Sequence, residues 1–226
     1  MISRTPSSSP AIAFFDVDHT LIDGNSGYFT SLRLVKHGIL KKRRILQAVY
    51  YSAASVFFRQ DVEKIYQIAI NDMAGSTIGR IMEIGKECFE NDIRKRFMPE
   101  AVNRLKSHQQ KGDRVVLLTS GPTMTIRHVQ DFLGVEEAYT MGPEIEGGIL
   151  TNRLMSPICH AEGKVIFAEE AARKHNIPLS ECTFYSDHIS DLPLLTKVGN
   201  PVAVNPDRKL KREALSRRWP ILRFER

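Results

Sequence analysis

Short apolar runs punctuate the chain, each followed by small or polar residues and then by a helix-like pattern. AIAFF (11–15) leads into Asp16. VVLLTSG (115–121) leads into TMTIRHVQDFLG (123–134), which is apolar at Ile126, Val129 and Leu133 and is stopped by Gly134. AYTM (138–141), TFYS (183–186) and PVAV (201–204) continue the series, the last running into a Pro-Asp start and a basic helix. Helical patterns also read at EAVNRLKSHQQ (100–110) and GKVIFAEEAARKH (163–175), and EIEGGIL (144–150) reads as a small hairpin turning on Gly147–Gly148. Strands alternating with helices predict an α/β fold: a Rossmann-like parallel sheet with helices on both faces, in three layers.

Residues 24 to 96 break this rhythm. Patterns such as VEKIYQIAIND and IGRIMEIGKECF are helical, and no convincing strand accompanies them. About 100 residues separate the first strand from the second, far more than one crossover needs. The pattern therefore predicts an all-helical cap (24–96) inserted into a discontinuous core (11–23 and 97–226), preceded by a loose Ser- and Pro-rich arm (1–10).

Composition adds limits. Hydrophobic content of 42% and charged content of 26% suit an ordinary globular protein. The first fifteen residues have no long apolar core, so no secretory signal is expected. The longest mainly apolar stretch, ILQAVYYSAASVFF (45–58), falls short of the roughly 20 residues of a spanning helix. Cys88, Cys159 and Cys182 are scattered and odd in number, which predicts free thiols and a cytoplasmic location. The net charge of +6 is concentrated in residues 208–226, with eight Lys/Arg against two Glu, and a second basic cluster, KKRR, lies at 41–44. Basic patches suit nucleic acid, anionic lipid or phosphorylated substrates.

Chemistry gathers at the predicted strand ends. In an open parallel sheet, ligands bind outside the carboxyl ends of the strands, near the switch in strand order. Those ends present Asp16 and Asp18, Thr119 and Ser120, and Asp187 with Asp191 four residues on; Lys164 opens the helix before that last strand. Strand alternation turns Asp16 and Asp18 to one side. Two acids facing one site repel unless a cation lies between them, and an oxygen-rich cluster selects a hard ion such as Mg²⁺. In such a site one carboxylate can attack phosphorus and the other can exchange protons, while a hydroxyl and an ammonium hold the phosphoryl oxygens. A helix start is a poor place for a cation, which favours a special role for Lys164.

The four motifs FFDVDHT, LLTSG, EGKVIF and YSDHISDLPLL, in this order, resemble the haloacid dehalogenase-like hydrolase superfamily, and most of all its phosphoserine-phosphatase-like branch with a helical cap. The resemblance implies a Mg²⁺-dependent phosphatase working through an aspartyl-phosphate. Asp16 would be the nucleophile and Asp18 the general acid/base, its backbone carbonyl also reaching the metal. Thr119, with Ser120 as the alternative, would bind the phosphoryl group together with Lys164. Asp187 would complete the metal site, Asp191 would support the metal or Lys164, and Thr20 would brace the turn. His19 and His188 depart from the family pattern, either narrowing the entry or pointing away from it. Asn25 stands where phosphoserine phosphatases place a Glu for the substrate amine.

The resemblance leads to a small phosphorylated metabolite, phosphoserine- or histidinol-phosphate-like, as substrate. The alternative is a lipid phosphate monoester, such as phosphatidylglycerophosphate, reached through a peripheral contact of the KKRR–ILQAVYYSAASVFF segment with an anionic membrane. Nucleic acid is not expected as a partner. Two other classes compete: a peripheral membrane-binding protein with an inert hydrolase core, and a phosphoacceptor signalling domain.

Overall fold

Four consecutive apolar residues, Ile12–Phe15, form the central strand β1 of the computed structural model, which describes residues 10–43 and 62–225. The strand is apolar throughout because it is covered on both faces. Ile12 and Phe14 pack into one core layer and Ala13 and Phe15 into the other. β2 (Arg114–Pro122) pairs with β1 on one side, followed by β3 (Glu137–Met141). On the other side lie β6 (Thr183–Ser186), β7 (Asn200–Val204) and the two-residue β8 (Ile221–Leu222). The order β3-β2-β1-β6-β7-β8 is parallel throughout and reverses direction at β1.

Helices cover both faces. On one, α4 (Pro99–Gln110) contributes Ala101 and Leu105, and α5 (Thr123–Leu133) contributes Ile126, Val129 and Leu133. On the other, α6 (Glu162–His175) contributes Val165, Ala168 and Ala171, with the short α7 (Leu192–Leu195) beside it. The basic C-terminal stretch forms α8 (Arg208–Arg217), capped by Asp207 and buried through Leu210 and Ala214, so most of it is built into the fold and not a solvated tail. β8 was not expected; two residues after Trp219-Pro220 are too few to show a period.

Between β1 and α4 the described residues form α1 (Ser26–Lys36), α2 (Val62–Met73) and α3 (Ile78–Cys88), the last continuing into a π-helical turn, Phe89–Ile93. The chain leaves the core and returns at one place: Ile22 and Phe97 form an antiparallel bridge, and Asp23 N–H donates to the Arg96 carbonyl. The three helices share a core of Leu34, Met73, Ile81 and Ile84. The hairpin β4 (Pro143–Glu146) and β5 (Ile149–Leu154) turns on Gly147 and Gly148, both at positive φ (56° and 80°), as a two-residue primed turn requires. It joins that helical layer, because Leu150 exchanges backbone hydrogen bonds with Gly75 and Ser76 and packs against the same core. This differs from the sequence boundaries, which put 143–154 within the core segment 97–226.

The stretch 45–58 and its proposed membrane contact lie outside the described residues. Lys41, Lys42 and Arg43, at the edge of the described part, are exposed. Among the described residues no helix is long and apolar enough to cross a membrane. Cys88, Cys159 and Cys182 are free and buried.

Candidate active site

The ends of β1 and β6 deliver the acids, and the first turn of α6 delivers the ammonium. Asp16 continues β1, its N–H donating to the Tyr185 carbonyl of β6 at 3.0 Å. Its Oδ1 accepts from Val17 N–H at 2.8 Å and lies 3.2 Å from Lys164 Nζ. Lys164 Nζ also donates to Asp191 Oδ2 at 2.7 Å, and Ser186 Oγ donates to the same oxygen at 2.7 Å. With Asp16 8%, Lys164 2% and Asp191 1% exposed, this chain of charges is enclosed.

Asp18 is held from the helical layer. Ser26, the first residue of α1, donates its N–H to Asp18 Oδ1 at 2.9 Å and its hydroxyl to Oδ2 at 3.0 Å. A helix N-terminus favours a carboxylate there. Burial, followed by repulsion from Asp16, nevertheless pushes the Asp18 carboxyl up to about 6. Burial also lifts Asp16 to about 6, although Lys164 opposes the shift. Asp187, directly after β6, is pushed up to about 8 by burial and then by the carboxylates of Asp16 and Asp191. Burial disfavours the charge of Lys164, but Asp16 and Asp191 outweigh it and keep the amine protonated.

The remaining predicted residues divide. Thr119 is buried at the end of β2, and its hydroxyl oxygen accepts from Gly121 N–H at 2.9 Å. Ser120 Oγ donates to the Cys159 carbonyl at 3.2 Å and lies 3.3 Å from His160 Nδ1. Thr20 is buried; its N–H donates to the Val17 carbonyl, and its hydroxyl has no partner among the described residues. Asn25 caps α1, accepting from Tyr28 N–H at 2.8 Å. His19 is exposed, at a φ of 55°. His188 is also exposed: its Nδ1 accepts from Ser190 N–H at 3.1 Å and its Nε2 is 3.4 Å from Asp207, so the ring is engaged in its own turn.

Four contributors were not foreseen: Ser26 on Asp18, Ser186 on Asp191, His160 beside Ser120, and Tyr66, whose hydroxyl donates to the Ser120 carbonyl. Ser186 directly precedes Asp187 in YSD and could have been flagged; Tyr66 acts across 54 residues and leaves no local mark.

Among the described residues, no three His, Cys, Asp or Glu side chains form a ready-made metal cluster. The donor set still suits a hard divalent cation. Three carboxylates, Asp16, Asp187 and Asp191, interact with one buried ammonium, Asp18 lies close enough to Asp16 to feel its charge, and Asp191 Oδ1 is buried without a partner among the described residues. All the donors are oxygen.

The sequence matches the haloacid dehalogenase-like hydrolase family over residues 13–196. It is 30% identical to a phosphoserine phosphatase of Mycobacterium tuberculosis, over 98% of this chain and 73% of that protein. It is 27% identical to a histidinol-phosphatase of Neisseria meningitidis serogroup C, over 95% of this chain and 99% of that one. A crystal structure of a Bordetella pertussis protein of unknown function superposes with a TM-score of 0.85 at 24% identity, covering 95% of this chain and 99% of that one.

Proposed function

The chain belongs to the haloacid dehalogenase-like hydrolase family and is a phosphatase, and from that premise we propose that it hydrolyses a phosphate monoester through a phosphorylated Asp16. The observation that supports this most directly is the placement of Asp16 on Lys164, with Asp18 two residues on and held by Ser26.

In this reading the Asp16 carboxylate attacks phosphorus, forming the aspartyl P–O bond as the ester P–O bond breaks. Asp18, protonated near pH 6, gives its proton to the departing alcohol oxygen. Water then attacks the aspartyl-phosphate, passes its proton to Asp18, and releases inorganic phosphate with Asp16 restored. Lys164 and the Thr119 hydroxyl hold the phosphoryl oxygens and spread their growing charge. Asp191, with Ser186 behind it, fixes Lys164 in place. Asp16, Asp187 and the Asp18 backbone carbonyl would hold Mg²⁺, which when bound supplies positive charge to the phosphoryl oxygens and lets the acids ionise together. Helices α1–α3, with the hairpin, cap the site and keep bulk water from the acyl phosphate.

The relatives' names support testing phosphoserine and histidinol phosphate first among small metabolites. Hydrolysis of p-nitrophenyl phosphate with and without Mg²⁺ tests the reading. Wild type should need the ion, and Asp16→Asn should lose at least about 10³-fold in kcat. Equal rates in the two proteins would overturn the nucleophile assignment.

A further inference from the structure

A cavity of about 760 Å³ opens from the acids into the helical layer. Asp18, Ser120 and His160 line the part shared with the site, and residues such as Leu34, Ile81 and Leu150 line the rest. Asp18 is the one carboxyl among the described lining residues, and no Lys, Arg or Glu is among them. Tyr28, Ile145 and Met155 line the cavity while remaining 49%, 49% and 41% exposed, so the mouth itself is apolar.

This lining has a chemical consequence. An amino acid phosphate carries an ammonium and a carboxylate, and each costs dearly to desolvate without a partner. The described wall offers no cation for the carboxylate, and Asn25, the neutral amide at the wall, is occupied as the cap of α1. An apolar group meets no such penalty. At roughly 30 Å³ per water-sized group, the space holds on the order of 25 heavy atoms, many more than a phosphoserine backbone would fill. Pockets of this size and character hold ligands that bury most of their apolar surface.

We propose that the cavity takes the alcohol half of the substrate, and that this alcohol bears an apolar chain of about ten carbons: the substrate is an amphiphilic phosphate monoester with its phosphate at Asp16 and its chain among α1, α2, α3 and the hairpin. The proposal rests on the phosphatase reading and names its substrate class.

The test compares kcat/KM for decyl phosphate, kept below its micelle concentration, with O-phosphoserine and histidinol phosphate, using p-nitrophenyl phosphate with Mg²⁺ as the reference. Each buried methylene strengthens binding roughly fourfold, so a few give an advantage of about 10²-fold for decyl phosphate. Ala69→Trp, which fills the cavity, should lower the ratio of decyl phosphate to p-nitrophenyl phosphate turnover at least tenfold. Ile145→Glu, at the exposed mouth where folding is not at stake, should lower it several-fold. A phosphoserine or histidinol phosphate kcat/KM equal to or above that of decyl phosphate overturns the proposal, as does an unchanged ratio in both variants. Calorimetry separates it from the phosphatase reading: decylphosphonate should bind wild type at least tenfold more tightly than methylphosphonate whether or not any ester is turned over, and equal affinities overturn it. Lysophosphatidate offered as monomer or in phosphatidylcholine vesicles distinguishes the source, since faster turnover from vesicles assigns the chain to a bilayer and faster turnover of the monomer to solution.

Discussion

Lys164 is the third residue of α6, at the end of a helix that repels cations, and it is almost fully buried. Both facts cost stability, and the ion pairs with Asp16 and Asp191 offset them, with the Phe184 ring centroid 5.7 Å from the ammonium. Lys164→Met would leave two enclosed carboxylates facing each other. Breaking a buried pair from one side costs about 3–5 kcal/mol, so urea unfolding should show a loss of that size, and Asp191→Asn added to Lys164→Met should recover part of it. The same recovery would be absent if Lys164 only packed. Asp18 calls for a kinetic test. Asp18→Asn keeps the hydrogen-bonding shape toward Ser26 but cannot exchange a proton, so kcat should fall about 10²–10⁴-fold. Asp16, Asp18 and Asp187 were legible in the sequence because acids after apolar runs have no packing reason to be there, and Lys164 because a helix start disfavours a cation. Ser26, Ser186 and Tyr66 were not, because an ordinary hydroxyl gains its role only from a partner the fold brings to it.

Elements meet at points that one atom decides. Gly85 in α3 lies against α5 so closely that an added Cβ would sit 2.0 Å from the Met124 carbonyl oxygen. Gly85→Ala must push the two helices apart, and overpacking of this kind costs about 1–3 kcal/mol; a thermal melt should drop by several degrees, with Gly79→Ala, which meets nothing, as the control. α1 is tied to α3 and its π turn by charge. Arg33 bonds Glu87 at 2.6 Å and Asp92 at 2.7 Å, and Lys36 and His37 also reach Glu87. These partners, Lys36 first, hold the Glu87 carboxyl down to about 2. A carboxyl lowered on folding stabilises above its ordinary value near 4.5 and loses that contribution as pH falls toward 2. Glu87→Gln should therefore lower Tm at pH 7 by the ~2–4 °C that about 1 kcal/mol represents, with the gap to wild type closing near pH 2.5. A constant gap would mean that packing, and not charge, accounts for the loss. At this scale the apolar runs gave away β1, β2, β6 and β7, because strands buried on both faces need no alternation. β8 was hidden by its length, and the hairpin's docking by the fact that nothing in EIEGGIL encodes its contact with Gly75 and Ser76.

Across the whole molecule, the sheet reverses order at β1, and that reversal collects residues from 16 to 191 at one edge. The order of the motifs made this convergence legible. The apolar cavity was not, since its wall draws on α1, α2, α3, α5 and the hairpin at once, and each of those apolar stripes alone reads as ordinary core. Gathering like charges in a folded protein has a stability cost that pH exposes. Asp16 and Asp18 rise to about 6 and Asp187 to about 8, from an ordinary 3.8. For a carboxyl raised on folding, the native state binds protons more tightly than the unfolded one, so its contribution is complete below about 4 and is lost as pH climbs through the folded value. In a chelator, Tm should accordingly fall between pH 5 and 8.5. Mg²⁺ at pH 8 should restore it, because an ion that binds only the folded state stabilises by mass action. Asp187→Asn removes the group shifted furthest: the metal-free variant should be more stable than wild type at pH 8, its melting profile flatter, its response to Mg²⁺ weak and its phosphatase activity lost. Stability rising in exchange for activity would identify the acid cluster as a strain kept for catalysis, whereas a chelated wild type whose Tm stays level from pH 5 to 8.5 would mean that Lys164 already neutralises the cluster without an ion.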